Sequence, residues 1–237
     1  MKKKAFTLAE VLITLGIIGV VAALTMPSLI ANYQKKQTVT QLKKAYSELY
    51  QAYTLSVANN GDSVDWIRTG TTPADDAQFL DTYIFPYLKT AKICKTDVTE
   101  CGFSNKQSLN GSSTISMYNV TAGAAAVLAD GATIYFNLGA GTYVVIWIDI
   151  NGNKAPNTVG KDMFRFNFPI SADSVISIKK FSPLCNSDEE MPIREILLNG
   201  GDANGTPGYA CNKDGNGSYC ACLIMLDGWE IAPDYPW

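Results

Sequence analysis

Residues in three parts of this chain have the types and spacing to do chemistry. The first is the run Asp149-Ile-Asn151-Gly-Asn153-Lys-Ala-Pro-Asn157-Thr-Val-Gly-Lys-Asp162, where oxygen-bearing side chains recur at alternate positions. Asp149, Asn151, Asn153 and Asp162 could wrap a hard cation such as calcium, which takes carboxylate and carbonyl oxygens. The run is not an EF-hand, because its glycine is misplaced and no glutamate closes it. The same residues also suit a structural loop, in which Asp and Asn side chains accept from nearby backbone amides. Spacing alone leaves both readings open. A shorter run, Asn212-Lys-Asp214-Gly-Asn216-Gly-Ser218, poses the same choice. It lies between Cys211 and Cys220, and a disulfide-closed hairpin turn accounts for it.

The cysteines are the second part: Cys94, Cys101, Cys185, Cys211, Cys220 and Cys222. An even number in an exported domain reads as up to three disulfides. Cys94 and Cys101 are close enough to close one small loop. Cys220 and Cys222 sit two apart in an apolar run that reads as a strand, so they would share a face and bond elsewhere, to residues such as Cys185 and Cys211. A zinc site is the weaker alternative, since no C-x-x-C meets a second one. The chain has no histidine, which removes the usual proton shuttle and any Ser-His-Asp device. Paired carboxylates such as Glu189 and Glu190 suit the start of a helix better than catalysis. Nothing here argues for an enzyme. Nor does a net charge of −3 suit a nucleic-acid partner.

The third part is a single carboxylate, Glu10. It stands in an apolar run from Phe6 to Met26, preceded by Lys2, Lys3 and Lys4. As a helix, this run spans roughly the 30 Å core of a bilayer. The basic start keeps the N-terminus cytoplasmic and sends the rest of the chain outside. A carboxylate within such a span costs about 2.5–3.5 kcal/mol on insertion scales, and an ordinary anchor would omit it.

Lys2–Lys4, the small residue Ala5, Phe6-Thr7-Leu8-Ala9-Glu10, the apolar stretch Val11–Met26 and then Pro27 follow one another in a fixed order. In this order the segment resembles the N-terminus of type IV pilins and type II secretion pseudopilins. Ala5 stands where that family usually has Gly. The resemblance implies cleavage by a prepilin peptidase between Ala5 and Phe6 and N-methylation of Phe6. It implies that Glu10 faces the N-terminal amine of a neighbouring subunit in a filament of copies or related pilins. It also implies a single-pass inner-membrane precursor with an extracytoplasmic head, then a cell-surface or periplasmic filament. The 149–162 run is similar to a loop in pseudopilins, some of which bind calcium. A filament-displayed adhesin or a membrane-anchored enzyme are the competing readings.

These residues must be positioned by elements. A leader at 1–5, a membrane-spanning and amphipathic stem helix over 6–58 and a head over 59–237 divide the chain, with a cysteine-rich region at 171–237. Beyond Pro27, Val39, Leu42, Tyr46, Leu49 and Tyr53 recur at helical spacing. Pro27 should kink this helix without ending it. A helix is expected within Asp75–Phe85, with Leu80, Tyr83 and Ile84 inward. Ala124–Ala129 and Ala132–Leu138 read as a hairpin about a type I′ turn at Asp130-Gly131. Thr142–Ile150 is apolar on both faces and so reads as a central strand on the stem. A short helix near Met191–Leu198 and strands at Val175–Lys180, Tyr219–Leu226 and Trp229–Ala232 complete the reading. The fold class is α+β, a long N-terminal helix packed on an antiparallel sheet, as in a pilin.

Overall fold

A computed structural model describes residues 7–103, 106–112, 123–138, 141–172, 181–185, 193–200 and 207–237. The chain divides into two compact units, residues 1–37 and 38–237. Helix α1 (Leu8–Asn60) contributes to both and runs through Pro27. In the first unit its side chains are exposed almost throughout, including Leu12, Ile17, Val20 and Leu24. The hydroxyls of this apolar stretch bond back to their own helix: Thr14 and Thr25 donate to the Glu10 and Val21 carbonyls, each at 2.9 Å. That pairing removes their need for water.

In the second unit the same helix becomes a core element. Thr38, Leu42, Ala45, Leu49, Ala52 and Ser56 are buried at steps of three and four. Val39, Tyr46, Tyr53 and Val57 flank them, half-buried. They cover one face of a six-stranded antiparallel sheet ordered β1 to β6. Its strands are β1 (Thr90–Cys94), β2 (Ala124–Leu128), β3 (Thr133–Asn137), β4 (Tyr143–Asp149), β5 (Met163–Pro169) and β6 (Ser182–Pro183). Val144, Ile146 and Ile148 of β4 and Phe164, Phe166 and Phe168 of β5 point to the helix side. Tyr46 and Tyr53 meet Phe166 and Phe168, with ring centroids 5.9 and 5.2 Å apart. Alternate residues Val145, Trp147 and Met163 face the other way, where Val98 and Phe103 of the Cys94–Cys101 flap cover them. Thus both faces of the sheet are buried, as the two-faced apolar pattern of β4 requires.

Helix α2 (Pro73–Tyr83) starts from a capping box: the Thr72 hydroxyl accepts from Asp75 N–H while the Asp75 carboxylate accepts from Thr72 N–H. It buries Phe79 and Leu80. Tyr83 is half-buried and stacks on Trp66, and Ile84 is buried just past the helix end.

The turn between β2 and β3 differs from the type I′ expectation. Among the described residues only Asn157 and Trp229 are non-glycine with positive φ, so Asp130 is not left-handed. Instead Gly131 takes φ +91° and its N–H donates to the Leu128 carbonyl. The loop therefore has three residues and ends on a left-handed glycine. Beyond the sheet lie helices α3 (Arg194–Asn199) and α4 (Cys220–Leu226). The expected strands at 219–226 and 229–232 are not strands: the first is α4, and the second is irregular. An eight-residue apolar run has no period to separate helix from strand. The expected strand at 175–180 lies outside the described residues.

Candidate functional site

The N-terminal segment is built around Thr7 and Glu10. Glu10 Oε2 accepts from the Thr7 N–H and the Thr7 hydroxyl, both at 2.8 Å, and Thr7 Oγ1 accepts from the Glu10 N–H at 3.3 Å. This is a reciprocal capping box at the start of α1. It gives Glu10 a local role that its position in an apolar run does not reveal, although Thr-x-x-Glu is legible in the sequence. Ala5 and Phe6 lie outside the described residues. The helix that follows is long and apolar enough to cross a membrane, and none of its most apolar stretch is buried.

The loop between β4 and β5 gathers most of the candidate cation ligands, and a lysine among them. The register pairs Asp149 with Met163, so Asp149 and Asp162 flank the loop at its base. Lys106 Nζ donates to Asp149 Oδ2 in a close ion pair, to Asn157 Oδ1 at 2.6 Å and to the Gly152 carbonyl at 3.4 Å. Its side chain is 1% exposed and that of Asp149 0%. Asp162 accepts from the backbone N–H groups of Asn157 (2.8 Å) and Thr158 (2.7 Å) and from Asn151 Nδ2 (3.2 Å). Asp149 Oδ1 accepts from the Asn151 N–H. Burial pushes the Asp149 carboxyl up to about 6, while the Lys106 ammonium pulls it back. Burial raises Asp162 as well, against the backbone N–H groups that favour its ionised form.

Lys106 reaches this place through backbone pairing. Gln107 N–H donates to the Asn157 carbonyl at 2.9 Å, and Val159 N–H to the Gln107 carbonyl at 3.0 Å. Asn157, in the left-handed region at φ +54°, turns the chain between these contacts. No sequence pattern links Lys106 to residues 43 positions and more away. Only the fold brings them together.

The fit to calcium can be tested on these contacts. Asp149, Asn151 and Asp162 converge, and Asn157 joins them; Asn153 is exposed and makes none of these contacts. Calcium needs six to eight oxygens. Here one Asp149 oxygen carries an ammonium, and both Asp162 oxygens accept backbone N–H groups. Asn151 Oδ1 is a buried acceptor with no hydrogen-bond partner among the described residues, a single free oxygen. With Lys106 in place, this arrangement does not fit the metal. In the second run, Asn212 Oδ1 accepts from Asp214 and Gly215 N–H, and Asn216 Oδ1 from Ser218 N–H. Those oxygens hold turns.

All six cysteines are paired: Cys94–Cys101, Cys185–Cys222 and Cys211–Cys220. Cys220 and Cys222 do not share a face, because residues two apart on a helix point about 200° from each other. That divergence lets them take different partners. Gly160, at φ +82°, packs its backbone against Cys220, where an added Cβ would meet the sulfur at 2.8 Å. The C-terminal strap is held by Arg194, which pairs with Asp227 and Asp234 at 2.7 Å each.

A membrane-length apolar helix with its motif, joined to an α+β head, defines a pilin- or pseudopilin-type precursor. Residues 1–26 match the model of the prokaryotic N-terminal methylation motif. Residues 28–237 match the model described as "Family of unknown function (DUF6613)", and the chain belongs to that family. No curated protein and no solved structure matches the chain.

Proposed function

We propose that this protein is a structural subunit of a type IV pilus-like or type II secretion filament. The observation that carries this reading is the methylation motif at residues 1–26, seated at the start of an exposed, membrane-length apolar helix. The leader 1–5 is removed between Ala5 and Phe6, and the new Phe6 amine is methylated. The apolar half of α1 holds the precursor in the inner membrane with its head outside. It then packs among the helices of other subunits, where Glu10 pairs with a neighbouring N-terminal amine. An unpaired carboxylate in lipid costs more than a paired one, so Glu10 favours assembly.

N-terminal mass spectrometry tests the processing step: methyl-Phe6 is expected, and an intact leader would sink the reading. The capping box makes a second test sharper. A capping box accepts Gln as well as Glu. Glu10→Gln should therefore keep the helix start and still fail to enter filaments, as Glu10→Ala should too, in a shearing assay with membrane fractions as control. Normal incorporation of Glu10→Gln alongside failure of Glu10→Ala would leave Glu10 a helix cap only.

A further inference from the structure

We propose that the Lys106 ammonium is the built-in structural cation of the 149–162 loop, holding with a side chain what a divalent ion would otherwise hold. The loop has the composition of a cation site, with two buried carboxylates, Asp149 at 0% and Asp162 at 2% exposure. Two buried carboxylates on one loop repel each other and cost solvation unless a positive charge joins them. The charge present is Lys106, seated on Asp149, Asn157 and the Gly152 carbonyl. Three donors of an ammonium meet three oxygens from three points of the loop, which is how a cation gathers a chain segment. The ring of Phe103 lies 5.6 Å from the same Nζ and closes it on the flap side.

The arrangement has a consequence that a metal would not. A free ion organises the loop from solution, whereas this cation arrives on another part of the chain. Residues 106 and 107 follow the Cys94–Cys101 flap and dock along 157–159 through two backbone hydrogen bonds. The loop therefore closes only when the flap is in place. The head's stability is then independent of calcium, and deleting the ammonium frees Asp149 Oδ2, Asn157 Oδ1 and the Gly152 carbonyl, beside Asn151 Oδ1, for a cation from solution to gather instead.

The test uses the full-length protein in detergent, with calcium chloride or chelator as the only variable. Wild type should melt at the same temperature in both. Lys106→Ala should melt lower in chelator by roughly 6–20 °C, the shift expected for orphaning a buried charge. Calcium should recover part of that loss in a saturable manner. Lys106→Gln, whose amide fills the space without charge, should also melt low and should not respond to calcium. A wild-type protein stabilised by calcium would overturn the proposal. So would a Lys106→Ala variant that is equally stable, or equally unfolded, with and without the metal. If Lys106→Ala folds only when calcium is present, the proposal stands.

Discussion

At the scale of single residues, the buried charges Asp162 and Arg165 differ in what satisfies them. Asp162 is held by two backbone amides and one side-chain amide, and it fixes the turn from Asn157 to Thr158. Hydrogen bonds to a charged group contribute about 1.5–3 kcal/mol each, net of exchange with water, and desolvation of the buried carboxylate offsets part of their sum. Asp162→Ala should therefore cost about 3 kcal/mol in urea unfolding, with calcium or without it. Arg165 is the opposite case. It is 3% exposed, sits over the rings of Trp147 and Tyr209, and donates Nε–H to Asn167. Its Nη1 has no hydrogen bond, and no carboxylate meets it among the described residues. A buried cation without a counter-ion gives little stability, and an apolar chain of similar size often does better. Arg165→Met should be neutral or stabilising in the same assay; a loss above about 2 kcal/mol would show that its two aromatic contacts outweigh its desolvation.

At the scale of elements, the C-terminal region depends on covalent closure. Helix α4 is only seven residues long, too short to persist alone, and it carries half of two disulfides. The Cys185–Cys222 bridge spans 37 residues, whereas Cys94–Cys101 spans 7. Loop-closure entropy then assigns about 4 kcal/mol to the first and about 2.5 to the second. Double Ser variants of each pair, unfolded in urea, should show that order. Equal losses would mean that packing of the flap over Trp147 and Met163, and not loop length, sets the value. The stem's outer half is equally testable: Leu42 and Leu49 are 0% and 3% exposed, and either change to Ala should cost about 2–5 kcal/mol.

At the scale of the whole molecule, the division at residue 37 separates an exposed apolar stretch of helix from a packed core. The apolar window of α1 buries nothing in the chain itself, while from Thr38 onward the helix is part of a core shared with the sheet. A fragment from Thr38 to Trp237 should remain soluble without detergent and melt within a few degrees of the full-length protein. Circular dichroism melts measure this. A fragment that aggregates or loses cooperativity would place part of the head's stability in residues before Thr38.

The sequence by itself determined what depends on local order and period. It carried the motif through Glu10, the membrane-length apolar run, the stem stripe at Leu42 and Leu49, and the two-faced strand 143–149. Each is a repeat or a fixed spacing along the chain, and its physical cause acts between neighbours. Strand β5 is written in the same way, in the alternation of Phe164, Phe166 and Phe168. The register fixed what no local pattern holds. It set Lys106 among the oxygens of the 149–162 loop, which composition alone offers to calcium. Burial of Cys220–Ile224 in the core made that run a helix, and the helix aims its two cysteines at different partners. A charge partner 43 residues away and a disulfide across 37 leave no trace in spacing. Only burial in a common core, with the cost of leaving either group unpaired, selects them.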